Sequence, residues 1–170
     1  MADSMIYSGL LDTPLSRVMF YRRTCGLPAV IDPPEHGRIV LRARKVWWLT
    51  MPTEMGQTVM ARMQSQDKTL GPIVSHPRAD RWSILIRPDL GDDDTKLIAD
   101  MYRSEVSIGR DGAQIVLPSP SSSPMATRYW IVAPRNTFRP SGQMVAEVVR
   151  ALAEQAAARH GHSGTVRHVG

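Results

Sequence analysis

Apolar positions along this chain recur at two spacings, and the switches between them lay out its elements. Leu15, Val18 and Met19 repeat at helical spacing behind Thr13-Pro14, a capping threonine with a proline in the first turn, and Gly26 ends the run. Residues 27–31 read as a buried strand stopped by Asp32-Pro33-Pro34, and 38–41 and 46–51 as two more strands around the basic Arg42-Ala43-Arg44-Lys45 connection. Helical spacing returns with Met55, Val59, Met60 and Met63 behind Thr53, the predicted cap. Residues 71–74 and 81–87 then pair around the polar loop His76-Pro77-Arg78-Ala79-Asp80.

Asp92, Asp93 and Asp94 open a third helix carrying Leu97, Ile98 and Met101, where their charge suits the helix dipole. Residues 105–108 and 113–117 flank Gly109-Arg110-Asp111-Gly112, read as a hairpin turn. A Ser/Pro-rich loop over 118–124 leads to a strand over 129–132. Ser141 caps a last helix with an apolar stripe of Met144, Val145, Val148, Val149 and Leu152. The element order αβββ–α–ββ–α–βββ–α predicts an α+β fold, a mainly antiparallel sheet with packed helices. Residues 1–12 form an N-terminal arm, 13–158 one domain, and 159–170 a flexible tail of small, polar and histidine residues.

Composition narrows the class. With 170 residues and 42% hydrophobic residues, the chain is long enough for one packed core and short for two. Lys plus Arg exceed Asp plus Glu by 21 to 16, a net charge of +5, which suits an acidic partner such as nucleic acid and equally describes a solvated basic rim. The single cysteine, Cys25, rules out an intramolecular disulfide and a thiolate-rich metal site, so a reducing, cytoplasmic setting is expected. Charges or prolines interrupt every apolar run before bilayer-spanning length, and no signal-peptide pattern opens the chain, so no membrane partner is expected.

Three segments, in order, resemble the primase–polymerase (prim-pol) domain of the archaeo-eukaryotic primase superfamily. Val46-Trp47-Trp48-Leu49-Thr50-Met51-Pro52-Thr53-Glu54-Met55-Gly56 is similar to an apolar strand ending in D-x-D-P, with Leu49 and Met51 where the aspartates belong. Residues 71–74 through 81–86 resemble the hairpin whose second strand opens on a nucleotide-contacting histidine, and Trp82 takes its place. Residues 106–121 resemble V-D-I-x-x-x-G-G-x-V-V-x-P-P-S, with Ser107 in place of the third carboxylate. The resemblance spans about residues 15–150 and implies a primase/polymerase-like fold. Two-metal phosphoryl transfer needs converging carboxylates, which Leu49, Met51 and Ser107 cannot supply, so no catalytic residue, metal ligand or cofactor is assigned.

Phosphate affinity comes from clustered Arg and Lys, and stacking from aromatics among them. Three clusters qualify: Arg42, Arg44 and Lys45 beside Trp47 and Trp48; Arg78 and Arg81 with Trp82; and Arg128 with Trp130 and Arg135. Arg110 adds a cation in the 109–112 turn. Trp47 and Trp48 point to opposite sides of a strand, so at least one belongs to the core. His76 reads as a surface-loop histidine without a serine or cysteine nucleophile and supporting acid, and His160-Gly161-His162 as tail rather than metal site. The expected function is a catalytically inactive primase/polymerase-like domain that binds DNA or RNA or regulates. The alternatives are a protein-interaction module, as a homodimer or with another protein, and an active nucleotidyl transferase with a relocated metal site at Asp92, Asp93 and Asp94.

Overall fold

The computed structural model describes residues 12–91, 93–120 and 128–162. All but Asp12 of the expected arm, Asp92, Ser121 to Pro124 of the Ser/Pro loop, and residues 163–170 of the expected tail lie outside the described residues. The order of elements is α1 (Pro14–Arg23), β1 (Ala29–Ile31), β2 (Ile39–Arg42), β3 (Trp47–Pro52), α2 (Thr53–Ser65), β4 (Ile73–His76), β5 (Arg81–Ile86), α3 (Thr95–Arg103), β6 (Ser107–Gly109), β7 (Gln114–Leu117), β8 (Tyr129–Val132) and α4 (Gly142–His162). The strands form a three-stranded sheet, β1-β2-β7, and a five-stranded sheet, β6-β3-β5-β4-β8, and every pairing within them is antiparallel. The α+β class with antiparallel sheets is therefore the observed one. Among the described residues no helix is long and apolar enough to cross a membrane.

Helix ends follow local chemistry closely, with one exception. Thr13 caps α1 in a capping box with Ser16, and Asp94 caps α3 by accepting from the Leu97 N–H at 2.8 Å. Ser141 Oγ accepts from the Met144 N–H, while Asp89 Oδ1 accepts from Gly142 N–H at 2.6 Å and Gln143 N–H at 3.3 Å, so the start of α4 has two side-chain partners. Thr53 is not the predicted side-chain cap of α2. Its own backbone N–H is instead taken by the Asp80 carbonyl at 3.1 Å, which ties the helix start to the β4–β5 turn.

Strand parity decides which residues each face of the five-stranded sheet holds. Leu49 pairs with Ile84 and Ile84 with Ile73, while Met51 pairs with Trp82 and Trp82 with Ser75, so these side chains share a face. Helix α2 lies on it: a Cβ at Gly56 would sit 2.9 Å from the Trp82 ring, so only glycine allows the helix this close. Helix α4 lies there too, with Gly142 against Ile86. The other face carries Trp48, Leu85, Val74 and Trp130 at one end, where Tyr21 of α1 meets Trp130 edge-on at 5.8 Å. Within α1 the buried contacts come from Val18 and Tyr21, and Leu15, expected on the packed face, is exposed.

The predicted hairpin over 105–117 is not formed. β6 pairs with β3 and β7 pairs with β2, so the 109–112 turn carries the chain from one sheet to the other. Two contacts hold this crossover. A Cβ at Gly109 would overlap the Trp48 indole, and the Ala43 N–H donates to the Ala113 carbonyl at 2.9 Å. The turn chemistry itself is as expected, with positive φ at Asp111 and Gly112.

Candidate nucleic-acid interface

On the face of the large sheet away from α2 and α4, one end is polar. Cross-strand register aligns Ser107, Thr50 and Ser83 in one row, and Pro52, Arg81 and His76 in the next. These positions fall at the C-terminal ends of β3 and β4 and the N-terminal ends of β5 and β6. Thr50 and Ser83 join through their hydroxyl oxygens at 2.6 Å, Ser83 Oγ lies 2.9 Å from His76 Nε2, and Arg128 Nε donates to His76 Nδ1 at 3.2 Å. The chain of bonds crosses four strands, from Thr50 on β3 to the residue before β8.

Donor inventory fixes the sense of this chain. A guanidinium only donates, so His76 Nδ1 holds a lone pair and Nε2 carries the hydrogen, which it gives to Ser83. A serine nucleophile needs the opposite tautomer, with Nε2 accepting and an acid behind Nδ1, so Ser83 and His76 do not form a hydrolytic pair. Of the two hydroxyl hydrogens on Thr50 and Ser83, one serves their mutual bond. The other has no acceptor among the described residues.

Several cations lie near the network, with Asp80 in the turn after His76. Burial pushes His76 down to about 4, and the Arg128 charge adds to the effect. Burial also lowers Arg128, and the Arg38 and Arg78 charges lower it further. Arg81 is anchored beside them, its guanidinium donating to the carbonyls of Thr50, at 3.2 Å, and Glu105. Arg38 donates to the Asp32 carbonyl at 2.8 Å. Guanidiniums beside a hydroxyl donor have the chemistry to hold an anion, since a phosphate would accept charge-assisted hydrogen bonds from them.

The predicted site residues divide between two places. Arg78, Arg81 and Arg128, from two separate sequence clusters, come together at this polar end. Arg42, Arg44 and Lys45 are exposed at and beyond the end of β2, and Arg42 is level with Gln114 of β7, near Arg110 of the crossover, which is ion-paired with Asp111 at 3.7 Å. Arg135 joins neither. Trp82, expected as a stacking surface, is only 6% exposed under α2, so its indole offers no face to a base. Trp47 and Trp48 are both buried, and Trp130 is half-buried with its N–H donated to Tyr21. The reading missed Arg38, which enters only through tertiary packing, and His76, whose strand-end position facing Arg81 was taken for a loop.

The three positions matched to carboxylates do not share a face. Leu49 and Met51 are fully buried toward α2 and α4, whereas Ser107 is aligned with Thr50 on the opposite side. Among the described residues no group of three or more His, Cys, Asp or Glu is placed to hold a metal ion, and Asp94 is engaged as a helix cap. His160 Nδ1 lies 2.8 Å from the Ala156 carbonyl within α4. Comparisons of the chain with models of known protein families, with curated proteins and with solved structures find no match.

Proposed function

We propose that this chain is a primase/polymerase-like domain that binds nucleic acid through its phosphates without transferring nucleotides, at the polar end of the large sheet. The observation that carries this reading is the hydrogen-bonded row from Arg128 through His76 and Ser83 to Thr50, with Arg78 in the turn that follows His76 and Arg81 held at the Thr50 carbonyl. An anionic ligand here would offer these guanidiniums charge-assisted acceptors. Leu49 and Met51 are sealed beneath two helices, where a metal-bound nucleotide has no access, which favours binding over phosphoryl transfer. Buried tryptophans leave electrostatics rather than stacking as the main source of affinity.

Affinity for an oligonucleotide, measured by titration calorimetry over a range of salt concentrations, tests the reading. Binding should weaken steeply with salt, and Arg78→Gln with Arg128→Gln should flatten the log–log slope by roughly 1–2. Equal affinity and slope for the parent and the double variant would overturn it. A salt-resistant self-association without oligonucleotide binding would point to the protein-interaction module instead.

A further inference from the structure

We propose that binding of a phosphate at the polar end of the sheet is coupled to uptake of one proton by His76, so that acid tightens the complex. The inference rests on the phosphate-binding reading above and adds its regulation. In the free protein, the lone pair of His76 Nδ1 accepts the Arg128 Nε–H, which leaves the ring no place for a second proton. A phosphate oxygen is a stronger acceptor for a guanidinium than a neutral imidazole nitrogen, since the bond becomes charge-assisted and can be bidentate. Arg128 turning to the phosphate frees Nδ1. The nitrogen can then be protonated and donate to the same anion.

The surroundings make the two states differ in the required direction. Arg128, before β8, touches the ring; Arg81 lies across from it on β5, Arg78 and Asp80 lie in the turn that follows it, and Arg38 acts on Arg128. Most are cations, and the free ring stays neutral down to about pH 4 through burial and the Arg128 charge. A bound anion reverses the sign of the local field and raises the affinity of the ring for a proton. Ser83 keeps accepting from Nε2–H in both states, so the ring need not move.

A short oligothymidylate without a terminal phosphate is a suitable probe, because neither its bases nor its diesters titrate between pH 5 and 8. Calorimetry at fixed ionic strength should show affinity rising as pH falls from 8 toward 5, with a limiting slope of about tenfold per pH unit for one proton. Titrations in two buffers of different ionisation enthalpy should report net proton uptake at pH 6. His76→Gln should abolish both the pH slope and the proton uptake, whatever its affinity at pH 8. A parent that binds with no pH slope and no proton uptake overturns the coupling and leaves the phosphate site standing. A slope that persists in His76→Gln assigns the proton elsewhere and also overturns it. Absence of oligothymidylate binding at every pH overturns the phosphate site and the coupling together.

Discussion

The ring of His76 is neutral in the folded chain because burial and the Arg128 guanidinium both disfavour its cation, holding it at about 4 against an ordinary 6.5. As pH falls, the unfolded chain therefore takes up this proton first. Stability from this group is complete above about pH 6.5, is lost progressively as pH falls toward 4, and changes no further below that, because the unfolded state binds more protons only inside that window. Thermal melts of the free protein between pH 7 and 4 should show a fall in Tm that is smaller in His76→Gln, whose amide keeps an acceptor for Arg128 and a donor for Ser83. An equal fall in both proteins would assign the acid sensitivity to other groups. At this scale the sequence was an uneven guide. The sequence grouped Arg78 with Arg81 as candidate phosphate contacts, but nothing local distinguished the buried Trp82 from an exposed stacking surface, since both begin a strand beside an arginine.

Elements were the most legible level, because each carries its own boundary chemistry. Thr13-Pro14, Asp94 and Ser141 mark three helix starts by the hydrogen bonds they accept, and apolar spacing marks the faces of α2, α3 and α4. The crossover from β6 to β7 was illegible because a Gly-flanked turn has the same local chemistry whether its strands pair with each other or with partners in two sheets. Strand parity shows a similar limit. Alternation says that Leu49 and Thr50 point opposite ways, but only the docking of α2 through Gly56 decides that Leu49 is covered and Thr50 faces the polar site. Asp89 is a further long-range contribution, capping α4 from 53 residues away. Asp89→Ala should remove that bond to Gly142 and lower unfolding stability by about 0.5–2 kcal/mol, read from denaturant midpoints at constant m. Ser141 remains as a second partner, so a loss near the lower bound is expected.

Across the whole molecule, two groups of the predicted basic residues are separated by the length of β3. Arg42, Arg44 and Lys45 precede its first residue, Trp47, whereas Arg78, Arg81 and Arg128 gather around Thr50 and Pro52 at its far end. Six extended residues span roughly 20 Å, about twice the screening length at ordinary ionic strength, so the groups act on a ligand independently. Each phosphate contacted contributes nearly one unit to the salt slope of binding, which makes the slope a count of the groups engaged. If a nucleic acid runs along the sheet from one group to the other, neutralising Arg42, Arg44 and Lys45 should flatten the slope by about as much as neutralising Arg78 and Arg128, and the combined variant should show the sum. If the polar end alone holds the ligand, the first variant should keep the parental slope while the second loses it. We expect this second outcome, because the polar end combines Arg128, bonded to His76, with the Thr50–Ser83 hydroxyl pair. Titrations of the parent and the three variants against one oligonucleotide length decide between these outcomes, and a first variant with the lower slope of the two would transfer the site to the β2–β3 connection.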